Sequence, residues 1–188
     1  MSLFADYLPD RPGRADERVR VRNGRLADIE TLARITAQRQ SSSETEAKIR
    51  FGRELANPST AKTLWVAEVE NQVIGFGRAS LQDRPSDAAP NHPPAGWFLT
   101  GVVVSPEWRR RGIGRKLTLA RLRYLAAENV SDVYFMVAAV NQASLDLHEA
   151  MGFQRLTDDV CAPGVQFSGG RGFLCRLDLR AWNQAQSG

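Results

Sequence analysis

The sequence predicts a mixed α/β (α+β) fold, a central sheet of about seven strands flanked by about four helices. Three observations point there. Phe98 to Val104 is apolar and β-branched, a turn at Pro106 and a basic loop with two glycines follow it, and a long helix then leads into the short apolar run Asp132 to Val137. That succession is a strand, helix and strand crossover, which is right-handed in nearly all proteins. Thr63 to Val69 and Val73 to Leu81 are β-rich runs separated by Glu70, Asn71 and Gln72, the pattern of an antiparallel hairpin. Finally, 188 residues with 43% apolar content suffice for one packed core. A single domain is expected over 18–180, between a loose tail at 1–17 and a frayed end at 181–188.

Taken in order, Met1 to Glu17 mixes Pro9, Pro12 and Gly13 with charges and shows no period. Arg18 to Arg22 alternates as a first strand. Leu26 to Arg39 places Ile29, Leu32, Ala33 and Thr36 at helical spacing, and Glu44 to Leu55 does so with Ala47, Phe51 and Leu55 before Asn57 and Pro58 stop it. In the hairpin's second strand Gly75 and Gly77 suggest a bulge. Pro85, Pro90, Pro93 and Pro94 make the next connection a long, stiffened loop. The helix after the basic loop begins near Gly112 and ends near Glu128. Asn141 then opens a short helix with Ala143, Leu147, Ala150 and Met151 inward, closed by Gly152. Phe153 to Thr157 and Phe173 to Leu179 read as the last two strands, joined by a glycine-rich loop.

Net charge is +4, and seven of the 25 basic residues fall between Arg109 and Arg123. Basicity this local favours one bound polyanion over a generally basic surface. The run lacks the aromatic interleaving of a nucleic-acid groove, so no nucleic-acid partner is expected. Cys161 and Cys175 are too far apart for a C-x-x-C motif and have only His92 and His148 to help them, so no metal is expected and the thiols read as reduced and structural. No apolar run approaches the roughly 20 residues of a membrane span, and the N-terminus has no signal-peptide core. The expected location is cytoplasmic, with no membrane partner.

Arg109, Arg110, Arg111, Arg115 and Lys116 crowd the start of a helix whose dipole already makes that end positive. An anion is wanted there. The first helical N–H groups have no intrahelical partner, and Gly112 and Gly114 let backbone approach a ligand, a combination that binds phosphate. A solvated basic helix with a glycine-rich entry turn is the plainer alternative. Neither a Walker A pattern nor a dinucleotide fingerprint is present: Arg109 to Gly114 reads R-x-x-G-x-G, without the first glycine of G-x-G-x-x-G.

With Val102, Val104 and Pro106 ahead of Arg109, Gly112 and Gly114, this stretch resembles the GCN5-related N-acetyltransferase (GNAT) superfamily, whose central motif is Q/R-x-x-G-x-G/A after V-x-V-x-P. Asn141 to Phe153 is similar to a second segment of that family, N-x-x-A/S-x-x-L-Y-x-x-x-G-F, at Asn141, Ser144, Leu147, Gly152 and Phe153. The order of elements resembles the family fold from about Arg18 to Arg180, with a mostly antiparallel sheet. The resemblance implies acetyl-CoA as co-substrate. Its pyrophosphate would lie on the backbone of Arg109, Arg110, Arg111, Gly112, Ile113, Gly114, Arg115 and Lys116, and its pantetheine arm along Val102, Val103 and Val104. Asn141 and Ser144 would add contacts, although asparagine is also a good N-cap.

Where many members carry a tyrosine that protonates the departing thiolate, this chain has His148. An imidazolium of pKa ~6.5 can donate near neutrality, so His148 is the candidate general acid, with packing beside the cofactor as the other reading. No base stands out; Glu68, Glu70, Asp83 and His92 lie in segments that could border an acceptor, or water removes the proton. The resemblance implies direct transfer of an acetyl group to a primary amine of a small molecule. A non-catalytic acyl-CoA-binding sensor or protein-interaction module and a protein N-acetyltransferase remain open, as does a homodimer. The connections Arg84 to Ala95 and Asp158 to Gly172 are expected to border the acceptor.

Overall fold

The computed structural model describes residues 15–39 and 43–187; residues 1–14 of the expected tail lie outside them. Seven strands, β1 (Arg20–Asn23), β2 (Lys62–Val69), β3 (Gln72–Gln82), β4 (Gly96–Val104), β5 (Asp132–Ala138), β6 (Gln154–Thr157) and β7 (Gly172–Asp178), form a sheet in the order β1-β2-β3-β4-β5-β7-β6. The helices among the described residues are α1 (Ile29–Arg39), α2 (Glu44–Ala56), α3 (Ile113–Ala127), α4 (Gln142–Glu149) and α5 (Leu179–Ser187), with short 3₁₀ turns at Leu26–Asp28 and Pro106–Trp108. β4 and β5 pair in parallel at Trp97↔Val133 and Phe98↔Tyr134. β1 with β2, β5 with β7 and β6 with β7 are antiparallel. This is the expected mixed, mostly antiparallel sheet.

By its contacts the chain groups into two compact units. One comprises the chain up to Arg78 with Gly101–Arg121, the other Ala79–Thr100 with everything from Leu122 on. In the first, alternation along the strands sends successive residues to opposite faces. Val66, Val73 and Phe76 join Leu32, Ile35 and Phe51 of α1 and α2, while Ala67, Val69 and Ile74 join Ile113 and Leu117 of α3. The β2–β3 connection is tighter than the sequence suggested. Glu70 and Asn71 both have positive φ, 50° and 66°, the two-residue hairpin geometry whose twist matches the strands.

Neither Gly75 nor Gly77 has positive φ, but Val73 and Phe76, three positions apart, pack into one cluster and Ile74 into the other, so the alternation slips near Gly75; within β4 it is Gly101 that has positive φ, at 50°. The two β3 glycines also serve close approach. A Cβ on Gly75 would come within 2.8 Å of the Val103 carbonyl oxygen, and one on Gly77 within 3.2 Å of Arg121 Cζ and Nε. Arg121 is 1% exposed and donates to the carbonyls of Leu117 (3.1 Å) and Arg78 (2.8 Å) and to Thr118 Oγ1 (2.8 Å). Burial pushes its pKa down to about 9.

In the second unit Phe98, Val160 and Leu174 pack with Tyr134, Met136 and Phe167, and Phe98 stacks on Tyr134 at 5.3 Å. The C-terminus departs from the expected strand to Leu179 and frayed end. Leu179 is buried and starts α5, because the Asp178 carboxylate accepts from the Ala181 N–H at 2.9 Å and caps the helix.

Candidate active site

Parity along β4 decides which backbone groups are free for a ligand. The Ser105 N–H donates to the Ile74 carbonyl at 2.9 Å, and the Val103 carbonyl lies against Gly75, so odd-numbered groups face β3. The carbonyls of Val102 and Val104 therefore face the other edge. Two guanidinium groups sit on them: Arg39 donates to the Val102 oxygen at 2.6 Å, and Arg109 Nε to the Val104 oxygen at 3.3 Å. Beside Val102, a Cβ on Gly101 would meet nothing within 4 Å.

After the turn at Pro106–Trp108, Arg110 and Gly112 take positive φ, 63° and 70°, and α3 starts at Ile113. Gly114 lies in its first turn. Ile113 is buried, so only its backbone can serve a ligand. Arg110, Arg111 and Arg115 are exposed, and Arg111 lies 4.6 Å over the Trp108 ring. Lys116 is differently placed. Its Nζ donates to the carbonyls of Asp16 (2.8 Å) and Val19 (3.0 Å), which fastens the N-terminal segment to the start of α3. The Asp16 N–H donates to the Arg111 carbonyl at 3.2 Å, and a Cβ on Gly112 would come within 3.3 Å of Ala15 Cα. Hydrogen bonds from Arg18 hold the Asp16 carboxyl down at about 2, so Asp16 stays ionised beside Arg111, 3.7 Å away.

Within the second unit, Asn141 Oδ1 accepts from the Ser144 N–H at 3.3 Å and caps α4, the structural role foreseen for it. His148 is 5% exposed, stacked at 3.8 Å on Phe135 and edge-on to Phe153 at 5.2 Å. Its Nδ1 is 2.7 Å from the Ser144 carbonyl. A carbonyl only accepts, so Nδ1 carries a proton.

Among the base candidates, Glu68 is bound to Arg22 at 2.7 Å, Glu70 lies in the hairpin turn, and His92 Nδ1 lies 2.8 Å from the Pro93 carbonyl. Asp83 is exposed just past the end of β3. The two connections expected to border an acceptor touch: the Cys161 N–H donates to the Asn91 carbonyl at 3.0 Å, and Asn91 Nδ2 to Asp159 at 3.2 Å. Arg84 ties the proline-rich connection together by donating to the carbonyls of Ala89 and His92. Cys161 is exposed, contrary to a structural thiol, whereas Cys175 is buried.

Sequence reasoning missed Arg39, which as a basic residue in the last turn of α1 looked like ordinary complementation of the helix dipole. The residues present suit a long ligand with amides at one end and phosphates at the other. A backbone edge with alternate groups turned outward leads into a helix N-terminus with glycines and arginines, which is the donor set such a ligand needs.

A family model described as the Acetyltransferase (GNAT) family matches residues 26–153. Mycothiol acetyltransferase of Kocuria rhizophila is 34% identical over 90 residues, 48% of this chain and 28% of that protein. This chain spans under a third of the length of the mycothiol acetyltransferases it matches, 28–32% in three of them. An N-alpha-acetyltransferase of Sulfurisphaera tokodaii is 26% identical over 145 residues, 73% of this chain and 81% of that protein. Among solved structures, an N-acetyltransferase of Thermoplasma acidophilum in complex with coenzyme A has a TM-score of 0.59 and 16% identity, over 85% of this chain and 98% of that one.

Proposed function

We propose, from the premise that the chain belongs to the Acetyltransferase (GNAT) family, that it moves the acetyl group of acetyl-CoA directly to a primary amine of a small molecule. The observation that supports this most is the outward β4 edge at Val102 and Val104 running into the arginine and glycine loop at the head of α3. Val102 and Val104 would hold the pantetheine arm by backbone groups, whereas Val103, which the sequence suggested as a third contact, is turned toward β3; Arg109 to Gly114 would hold the pyrophosphate. Arg115 adds long-range attraction, and Lys116 braces the loop from behind through Asp16 and Val19. Asn141 and Ser144 keep their proposed cofactor contacts in addition to the cap. Acetyl-CoA, when bound, supplies an acyl thioester already activated toward amines.

The chain's own chemistry is then to orient the acceptor and manage protons. Transfer without a covalent enzyme intermediate is supported by the cysteines: neither lies in the loop or the Asn141 segment, and burial pushes the Cys175 thiol up. His148 is the proposed proton donor to the departing thiolate, its ring oriented by the Nδ1 contact to the Ser144 carbonyl. The acceptor amine gives its proton to water, because the carboxylate Glu68 is engaged by Arg22. The protein is proposed to act in the cytoplasm as a single catalytic domain.

The test is to incubate the protein with acetyl-CoA and a panel of small amines and peptides while following free-thiol release. Amine-dependent release, greater with small amines than with peptides, is the expected result. Calorimetric binding of acetyl-CoA without release for any amine would leave a sensor, and release with peptides alone a protein acetyltransferase.

A further inference from the structure

We infer that Arg39 recognises a carboxylate carried by the acceptor, so that the substrate is an amine of the amino-acid class. The inference rests on the acetyltransferase reading and specifies its substrate.

The guanidinium groups of Arg39 and Arg109 occupy carbonyls two residues apart on one strand edge, which sets their anchor points about 7 Å from each other. Among the described residues neither has a carboxylate partner. The other inward-facing arginines of this unit meet acceptors: Arg22 lies between Asp28 and Glu68, Arg78 reaches Glu54 while its buried Nε has no partner among the described residues, and Arg121 meets three oxygens. Arg39 uses one donor on Val102, and the rest of its five-donor fork has no partner among the described residues. Burial, and then the charge of Arg109, weaken its hold on its proton, which is the electrostatic condition an incoming anion relieves.

A planar fork held in this way suits a carboxylate, bound through two parallel hydrogen bonds. The phosphates of the co-substrate have nearer partners in Arg110, Arg111, Arg115 and the first amides of α3. Arg39 instead meets β4 at Val102, before the loop and next to Gly101, where no side chain fills the space. A carboxylate there would steer an adjacent amine toward the strand's open face.

The experiment uses the full chain and matched acceptors, free L-amino acids and the corresponding amino-acid amides, with acetyl-CoA affinity measured separately by calorimetry. The wild type should prefer the acids by about tenfold or more in kcat/KM, the effect of one charged hydrogen-bonded contact. Arg39→Ala should abolish the preference, chiefly by raising KM for the acids, with acetyl-CoA affinity within about twofold. Arg39→Lys should keep part of it, because charge survives and the fork does not. Thermal melts establish that both variants fold. An unchanged preference, a wild type indifferent to the carboxylate, or an equal loss of acetyl-CoA affinity for every acceptor would overturn the inference; the last would assign Arg39 to phosphate. If the wild type does not bind acetyl-CoA at all, the acetyltransferase reading falls with it, and calorimetry tells that case apart.

Discussion

Gly77→Ala probes a close side-chain approach in the first unit. Gly77 does not need a glycine's backbone freedom, since its φ is not positive, so alanine meets a purely steric obstacle. The new methyl would lie 3.2 Å from Cζ and Nε of Arg121 and 3.5 Å from its Nη1, closer than relaxed carbon contacts. Arg121 has little room to yield, being almost wholly buried and bound to Leu117, Arg78 and Thr118. Overpacking of this kind costs about 2 kcal/mol, or about 4–8 °C in Tm for a chain of this size. In an Arg121→Ala background the obstacle is gone, and Gly77→Ala should be neutral or stabilising by about 0.4–1 kcal/mol through the unfolded state. A double-mutant cycle by chemical denaturation should therefore give a coupling of about 2 kcal/mol. Additivity within about 0.5 kcal/mol would refute the argument that Gly77 exists to admit Arg121.

His148→Ala should lower kcat by about 10²-fold with acetyl-CoA affinity nearly unchanged, and His148→Tyr should recover part of the rate; a folded alanine variant with full kcat would leave His148 a packing residue against Phe135. Burial raises the Asp28 pKa, but hydrogen bonds from Arg22 and from the Arg25 backbone outweigh it and leave the carboxyl low. Its contribution is thus present above the unfolded value of about 3.9 and lost as pH falls through the lower folded value. Acid titration of stability should show a shallower loss in Asp28→Asn, and parallel curves would contradict this. Shortening the connection Arg84 to Ala95 should change KM for the amine and leave acetyl-CoA binding intact in calorimetry, because Asn91 bridges to Asp159 and Cys161 of the other connection expected to border the acceptor.

The order of strands and helices was legible because the elements carry their own patterns: Arg18 to Arg22 alternates, Thr63 to Val69 is a β-rich run, and α1 repeats at helical spacing. Local chemistry also announced the Asn141 cap and the glycine loop. What escaped depends on contacts distant in sequence. Arg121 looked like one more charge of a basic helix, yet the missing side chain at Gly77, 44 positions earlier, makes room for it. Lys116 looked like a phosphate ligand until Asp16 and Val19 were seen to hold it. Arg39 acquires meaning only from the Val102 carbonyl it meets. The α5 helix was missed for a local reason, since Asp178 ends a strand and caps a helix at once.

The strand order β5-β7-β6 has a consequence for synthesis on the ribosome. β6 emerges before β7 but has no neighbour in the sheet until β7 arrives to lie between it and β5. β5 meanwhile presents the whole edge from Asp132 to Ala138 that β7 will cover. A nascent chain stopped before Gly172 thus exposes an apolar strand edge that β7 would have covered, a template for association between chains. The last strand closes the gap in one addition, so premature termination near the C-terminus should produce insoluble chains instead of slightly shortened enzymes.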